Sequence, residues 1–352
     1  MNNIYLSDGY FAAANSRNGF ISFDGSLFSD VSFLYIIKGG PGTGKSSFMR
    51  SIALEALNEG YDVEYIWCSS DPSSLDGLII RKSDRSIAFW DGTAPHTAEL
   101  KTPGIDSQFC DLGQFWNTTV LSHHADEIRP ISSAKSSCYA SAYRLLSSAG
   151  SFVDEIADNA SEYTLHNKLY NFVKRFTDHL EAVRDGKIRK IFTSCISGYG
   201  EIRSAIFENI SDNTYFIDEK YRIYPEFFAL LADALVNKGY SLDISVSPLD
   251  PDMIDGIFVR EICTSFVTSH QNDSLTKSNF INSRRFIDNG VFSNSRHRVR
   301  ELLKLHDAAM SDALHSLEKA RNLHTDLEKY YGSAMDFSKL ERYKKEIMSK
   351  LF

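Results

Sequence analysis

Short apolar runs, separated by polar turns and one helical stretch, dominate the first third of the chain. Strands are predicted over 33–37, 62–68, 78–80 and 86–90, because each run is apolar and is bounded by polar or turn-forming residues. Between the first two runs, residues 48–57 carry apolar side chains at helical spacing. This order predicts an α/β fold in which helices flank a mainly parallel sheet.

Two smaller elements are predicted beside these strands. Residues 1–30 alternate apolar and small side chains around 15–19, which indicates a hairpin leading into the first core strand. Asp71 is suited to cap a helix with Pro72 at its first position, so a helix is predicted to begin there.

From about Pro130 the apolar residues change to helical spacing. They recur every three or four positions over 138–156 and again over 165–180, which predicts two long helices after the sheet. A similar helical tail, over 299–331 and 337–351, ends the chain. The two tails are a first indication that the chain repeats its plan.

The strands repeat as well. Residues 60–81 align without a gap on residues 239–260 at a constant offset of 179 positions. Seven aligned positions are identical: Gly60/Gly239, Tyr61/Tyr240, Asp71/Asp250, Pro72/Pro251, Asp76/Asp255, Gly77/Gly256 and Arg81/Arg260. We interpret this as a duplicated α/β unit in which each copy is followed by a long helical pair. Because 352 residues exceed what one core usually serves, the domains are predicted at 1–184 and 185–352.

Composition and charge narrow the function classes. A net charge of −8 argues against a broad basic face for duplex nucleic acid, although a small local patch is compatible with it. No apolar stretch approaches the ~20 residues of a membrane helix, and the N-terminus lacks the features of a signal peptide. The five cysteines are far apart, which fits free thiols in a reducing cytosol, with Cys68 in the core. We therefore expect a cytoplasmic protein with no membrane span.

The most specific motif is the segment 39–47, which reads GGPGTGKSS and fits G-x-x-x-x-G-K-[ST] between a predicted strand and a predicted helix. Its glycines let successive N–H groups point inward, and the helix dipole favours negative charge there. Lys45 would reach the β- and γ-phosphates, and the Ser46 hydroxyl would bind Mg²⁺. The predicted nucleotide-binding residues are Gly39, Gly40, Pro41, Gly42, Thr43, Gly44, Lys45, Ser46 and Ser47.

A carboxylate at the end of a neighbouring strand would complete the metal site. Asp91 follows the strand 86–90 and is predicted to hold Mg²⁺ together with Ser46, the alternative being a plain turn aspartate before a glycine. Thr93 and His96 belong to the same segment, and either could face the γ-phosphate or an acceptor, or have a capping or surface role. The predicted catalytic set is Lys45, Asp91, Thr93 and His96.

The second copy lacks this chemistry. In 215–226 the glycines are absent, Pro225 stands where the first copy has Lys45, and acidic side chains occupy the place meant for phosphate. The strand 264–267 continues into 268–270 with no counterpart of 91–95. We predict that only the first copy binds a nucleotide.

Other polar residues have simpler interpretations. Asp71 and Asp76 resemble a paired carboxylate site, but their counterparts persist in the copy without a phosphate loop, so structural capping is favoured. His123 and His124 lack metal-ligand spacing, and three histidines on the last long helix, His306, His315 and His324, fit ordinary helix positions. Three arginines are left as candidates to stabilise transferring charge, namely Arg50, Arg81 and Arg222.

The first half resembles the P-loop NTPase superfamily. The two-copy layout, with KGGPGTGKSS, SSDPSSLDG and DGTAPH, resembles a family of bacterial tandem P-loop proteins usually labelled ATPases. This resemblance implies ATP and Mg²⁺ as ligands, the usual roles for Lys45 and Ser46, and Asp91 as the Walker B carboxylate. The likeness covers most of the chain, but its functional content lies within 38–47 and about 86–96.

GGPGTGK and the Asp-Gly-x-x-Pro after a strand are also similar to adenylate-kinase-like nucleotide kinases. Those kinases have an arginine where this chain has His96, and no arginine-rich lid is evident here. No glutamate follows Asp91, so the water-activating acid of AAA-type ATPases is missing from its usual place. The guanine signature N-K-x-D is absent, so ATP is expected rather than GTP.

Three functions follow as expectations. The first is a Mg²⁺-dependent ATPase with one working site in the N-terminal copy. The second is a kinase that passes the γ-phosphate to a nucleotide or another small acceptor. The third is an ATP-gated interaction module with little turnover, whose helical tails bind a protein partner. The sequence identifies neither the acceptor nor the partner.

Overall fold

A computed structural model describes residues 4–96, 98–100, 102–269 and 279–352. The strands are β1 (Ile4–Leu6), β2 (Tyr10–Phe11), β3 (Ala13–Ser16), β4 (Gly19–Ser22), β5 (Phe33–Lys38), β6 (Asp62–Trp67), β7 (Leu75–Lys82), β8 (Arg85–Asp91), β9 (Ser107–Asp111), β10 (Ile188–Ile191), β11 (Ser194–Ser197), β12 (Gly200–Ser204), β13 (Asn213–Asp218), β14 (Leu242–Val246), β15 (Ile254–Val259), β16 (Thr264–Ser269) and β17 (Phe280–Ile281). The helices are α1 (Asp24–Leu27), α2 (Lys45–Asn58), α3 (Thr118–His123), α4 (Ala125–Tyr163), α5 (His166–Asp178), α6 (Ile206–Ile210), α7 (Tyr224–Asn237), α8 (Asn289–Ser333) and α9 (Phe337–Leu351).

Two six-stranded sheets with the same plan form the centre of the molecule. Their strand orders are β2-β6-β7-β8-β5-β9 and β10-β14-β15-β16-β13-β17. In each sheet five strands run in one direction, and only the third strand in the order, β7 or β15, runs against them. The prediction of a mixed α/β fold with largely parallel sheets is therefore confirmed.

The two sheets pack face to face. Because successive side chains of a strand point to opposite faces, Ile79 and Trp90 of the first sheet lie in one buried cluster with Phe216 and Phe258 of the second. The outer face of the first sheet is covered by α2 and α9, and the outer face of the second by α5 and α7. Both sheets are thus buried on both faces, as sheets rich in parallel strands usually are.

Two long helices connect the sheets. Helix α4 has 39 residues and α8 has 45, and they run antiparallel along each other, because Asn117 N donates to Ala334 O at one end and Leu165 N to Phe286 O at the other. Helix α4 brings the chain to the second sheet, where α5 packs, and α8 returns it to the first sheet, where α9 packs. The last helix of the chain therefore completes the core of its first half.

The local predictions have mixed outcomes. The hairpin is confirmed as β3 and β4, and the predicted strands of the first half correspond to β5 to β8. The helix predicted from Asp71 and Pro72 is wrong, because these residues form a turn into β7. There the Asp71 carboxylate accepts a hydrogen bond from Ser73 N at 2.9 Å, and Asp71 O accepts one from Ser74 N at 3.0 Å. Asp-Pro favours such turns as readily as helix starts.

None of the helices in the described residues is both long and apolar enough to cross a membrane.

Candidate functional site

The loop 39–44 connects the end of β5 to the start of α2. Gly42 and Gly44 have φ values of 68° and 82°, a left-handed conformation that residues with a Cβ rarely adopt. Within the described residues, α2 has no side-chain cap, and no acceptor is bonded to the N–H groups of Gly42 to Ser46. A curved run of unpaired N–H groups at a helix N-terminus favours an anion.

Helix α8 and Trp116 pack against this loop. A Cβ on Gly42 would lie 2.7 Å from the carbonyl oxygen of Glu328 and 3.0 Å from Gly332 N, both on α8. A Cβ on Gly40 would lie 3.1 Å from the ring of Trp116. Glycine is therefore required at position 42 both by the backbone conformation and by the close approach of α8.

Lys45 lies across the loop and reaches the neighbouring strand. Its Nζ donates hydrogen bonds to Gly39 O at 2.7 Å and Gly40 O at 2.9 Å, and it is 3.5 Å from Oδ2 of Asp91. Asp91 ends β8, which pairs in parallel with β5 in the register Ile37–Asp91. Parallel pairing thus brings Lys45 of the loop and the predicted metal carboxylate together.

Asp91 is buried and is bonded to its own segment. Thr93 N donates to Asp91 Oδ1 at 2.9 Å, and Thr93 Oγ1 donates to Gly39 O at 2.8 Å. Burial raises the pKa of Asp91, the nearby Asp76 raises it further, and Lys45 opposes both. The Asp91 carboxylate therefore accepts a hydrogen bond within its own turn and also pairs with Lys45, while Thr93 connects the segment after β8 to the loop 39–44.

Ser46 occupies the first turn of α2. Its Oγ accepts a hydrogen bond from Leu75 N at 3.0 Å, which leaves the hydroxyl a second lone pair. The described residues contain no cluster of three or more His, Cys, Asp or Glu side chains able to hold a metal ion. Mg²⁺ in phosphate sites needs no such cluster, because it is usually held by one or two protein groups together with the phosphates and water.

His96 lies inside the molecule and does not have the predicted surface role, since only 8% of it is exposed. Its Nε2 is 3.4 Å from Oδ2 of Asp76, and its ring packs edge-on against Trp90 and Phe20. Burial alone would lower the pKa of His96, but Asp76 raises it above its usual value. The predicted capping role of Asp76 is wrong, because Asp76 lies within β7 and there is no helix for it to cap.

Helices α4 and α8 add two charged residues that the sequence did not single out, Lys135 and Glu328, beside His324, which the sequence analysis treated as an ordinary helix residue. Nζ of Lys135, on α4, is 3.5 Å from Nδ1 of His324, on α8, and His324 Nε2 is 3.7 Å from Oε1 of Glu328. Burial lowers the pKa of His324 to about 4, and both Lys135 and Lys45 contribute. His324 is therefore neutral near pH 7. His324 and Glu328 are four positions apart in the sequence, so they are expected on one face of α8. The spacing alone does not show which part of the molecule that face contacts.

The remaining candidates lie elsewhere. Arg50 donates to Ser73 O at 2.6 Å, Arg81 pairs with Glu64 at 2.5 Å, and Arg222 lies beside Tyr224 in the second half. All five cysteines are free, as predicted, and burial raises the pKa of Cys68 well above its usual value. A protonated thiol of this kind is a poor nucleophile.

The second half has a different connection at the corresponding place. Between β13 and α7, Tyr221 and Ile223 are buried, and Pro225 lies in the first turn of the helix without an N–H group. The stretch 270–278, on which the predicted loss of a counterpart to 91–95 depends, lies outside the described residues.

Comparison of the chain with protein-family models, curated proteins and solved structures finds no match.

Proposed function

We propose that this protein binds MgATP at 39–47 and hydrolyses it at that single site. The observation that supports this best is the combination of a curved glycine loop with unpaired N–H groups and Lys45 3.5 Å from Asp91. The loop amides and Lys45 would hold the phosphates, and the Asp91 carboxylate would bind Mg²⁺. We also propose that both halves are copies of a P-loop NTPase unit, the second of which serves as a scaffold, and that the protein is cytoplasmic.

The proposed roles use side chains already close together. Lys45 would exchange its bonds to Gly39 O and Gly40 O for phosphate oxygens, and Thr93 would hold the Asp91 segment against the loop. Mg²⁺, bound through Ser46 and Asp91, would neutralise charge on the phosphate oxygens.

The test is MgATP binding by calorimetry together with phosphate release. Lys45→Ala should weaken MgATP binding at least about tenfold and reduce turnover to background, since it removes a charge-assisted contact to phosphate. The matched control is Lys220→Ala, which removes a lysine from the corresponding connection of the second half. Binding that is unchanged in Lys45→Ala, or lost equally in Lys220→Ala, would contradict the proposal.

A second function, an ATP-gated interaction module, is supported by the contact of Gly42 with α8. A ligand that reshapes the loop would act directly on a helix that extends to the second sheet. Tight MgATP binding with negligible phosphate release, and altered protease cleavage within 297–351, would favour this function over hydrolysis.

A third function, phosphate transfer to a small acceptor, would require ADP formation that depends on the added acceptor.

A further inference from the structure

Two long helices, α4 and α8, approach the loop 39–44 and the neighbouring edge of the first sheet. Helix α8 touches the loop at Gly42 through its main chain at Glu328. Helix α4 reaches the end of β6, because Tyr139 OH is 3.5 Å from Ser70 Oγ. The loop and the turn after β6 both follow the carboxyl ends of parallel strands, which is where ligands bind in open α/β sheets. Helices α4 and α8 thus form a roof over that edge of the first sheet.

Lys135 lies one helical turn before Tyr139 on α4, so its side chain shares the face of α4 that contacts the turn after β6. Its partner His324 lies one turn before Glu328 on α8, about 6 Å along the helix from the contact with Gly42. Burial lowers the pKa of Lys135, and the second cause is the positive charge of Lys45. Lys135, His324 and Glu328 form a chain of contacts that ends where the main chain of Glu328 meets Gly42 of the loop.

We propose that Lys135 is a second phosphate-binding lysine, which contacts the terminal phosphate of a nucleoside triphosphate held at 39–47, and that His324 positions it. This inference rests on the proposed function. A lysine ammonium group only donates hydrogen bonds, so Nδ1 of His324 must accept, and the ring proton lies on Nε2, facing Glu328. A neutral His324 can hold Lys135 in this way without competing with it for the phosphate.

The assignment has a specific consequence for ligand preference. Lys45 contacts the loop itself and should serve both diphosphates and triphosphates. Lys135 belongs to the roof and should matter mainly when a third phosphate is present, since this phosphate extends farthest from the loop. The roof would then distinguish ATP from ADP.

The experiment measures binding of a non-hydrolysable ATP analogue and of ADP, both with Mg²⁺, to the full chain. Lys135→Met should weaken the analogue about tenfold and leave ADP within about twofold, because only the triphosphate loses a charge-assisted contact. Arg144→Met is the matched control, since it removes an exposed charge from the same helix and should change neither affinity. Circular dichroism verifies folding, and Lys135→Gln replaces Lys135→Met if that variant is unfolded.

The role of His324 is tested by two replacements. His324→Asn keeps an acceptor near the position of Nδ1 and should retain the preference for the triphosphate. His324→Leu removes the acceptor and should reduce that preference in the same direction as Lys135→Met.

The outcomes separate this inference from the proposed function. Equal losses for the analogue and ADP in Lys135→Met, or no loss for either, would overturn the role of Lys135 while Lys45-dependent binding stands. If the unaltered protein bound neither ligand, the proposed function and this inference would fail together.

Discussion

The two strand-to-helix connections, 39–44 after β5 and 219–223 after β13, occupy the same place in two sheets of the same plan. In the first, positive φ values at glycines curl the backbone, and its N–H groups have no acceptor in the described residues. In the second, the Asp218 carboxylate accepts from Lys220 N at 3.2 Å and from Ser283 N at 2.7 Å. The two connections therefore differ in that a carboxylate accepts from Lys220 N in the second, whereas the described residues provide no acceptor for the amides of the first.

The helices that cover these connections differ as well. Over the second connection, the hydroxyl of Tyr163, at the end of α4, donates to Tyr221 O at 3.1 Å. Nearby, His166 lies 2.8 Å from Glu226 in the first turn of α7. Over the first connection, α8 approaches Gly42 closely through its main chain. Side chains of α4 and α5 therefore bond to the second connection and the helix after it, whereas the main chain of α8 packs against the first connection at Gly42.

The largest effect should come from closing that glycine contact. Gly42→Ala places a Cβ at 2.7 Å from the Glu328 carbonyl oxygen and forces a left-handed backbone on alanine, so we expect a loss of about 3 kcal/mol in unfolding free energy. MgATP binding should fall with it. Urea denaturation and calorimetry measure the two effects.

Gly19→Ala is the matched control for this prediction. Gly19 also has a positive φ, of 92°, but nothing lies within 4 Å of the Cβ it would gain. Gly19→Ala should therefore lower the free energy of unfolding by only about 1 kcal/mol, from backbone strain alone. Equal losses in the two variants would mean that the approach of α8 contributes nothing.

An effect of about the same size concerns the charged contact between the two sheets. Glu64 in the first half and Asp243 in the second half stand at corresponding positions. Glu64 pairs with Arg81, and Asp243 pairs with the corresponding arginine, Arg260. Arg189 pairs with both acids and so connects the two sheets. Burial alone would raise the pKa of Glu64, but Arg189 and Arg81 lower it to about 2. Glu64→Gln should therefore cost about 3 kcal/mol at pH 7, the equivalent of that pKa change.

The sign of the pH dependence is fixed by this direction. A carboxyl with a lowered pKa in the folded state stabilises the protein above its unfolded pKa, 4.5, and this contribution is lost as pH falls towards 2. The difference between the unaltered protein and Glu64→Gln, followed by urea denaturation, should shrink over that interval. Glu59→Gln, at the exposed residue that follows α2, is the control and should show no such trend. A stability difference for Glu64→Gln that does not change with pH would refute the assignment.

The smallest effect should come from the hydrogen bond between α4 and the second connection. Tyr163→Phe removes one buried hydrogen bond to Tyr221 O and should cost about 1 kcal/mol, with no change in MgATP binding. Tyr170→Phe, at an exposed position of α5, is the control and should be neutral. A loss of MgATP affinity in Tyr163→Phe would show that the two connections are coupled through the long helices.

The sequence predicted the parts of the site that are local in the chain. The motif at 39–47 and the strand ending at Asp91 could be read from spacing, because parallel neighbours place their carboxyl ends together. The helix from Asp71 was wrong because a capping pattern and a turn pattern share the same residues. The position of Lys135 could not be read, since it depends on how α4 and α8 cross the first sheet.

The return of α9 to the first sheet has a consequence for synthesis. Leu340, Ile347 and Leu351 belong to the same buried cluster as Phe48 and Phe89, so the outer face of the first sheet stays partly uncovered until α9 has been synthesised and has packed. A nascent chain that carries the whole glycine loop would still lack this helix. The proposed MgATP binding should therefore depend on α9, and a stop codon just before residue 337 should abolish it without altering any residue of the loop.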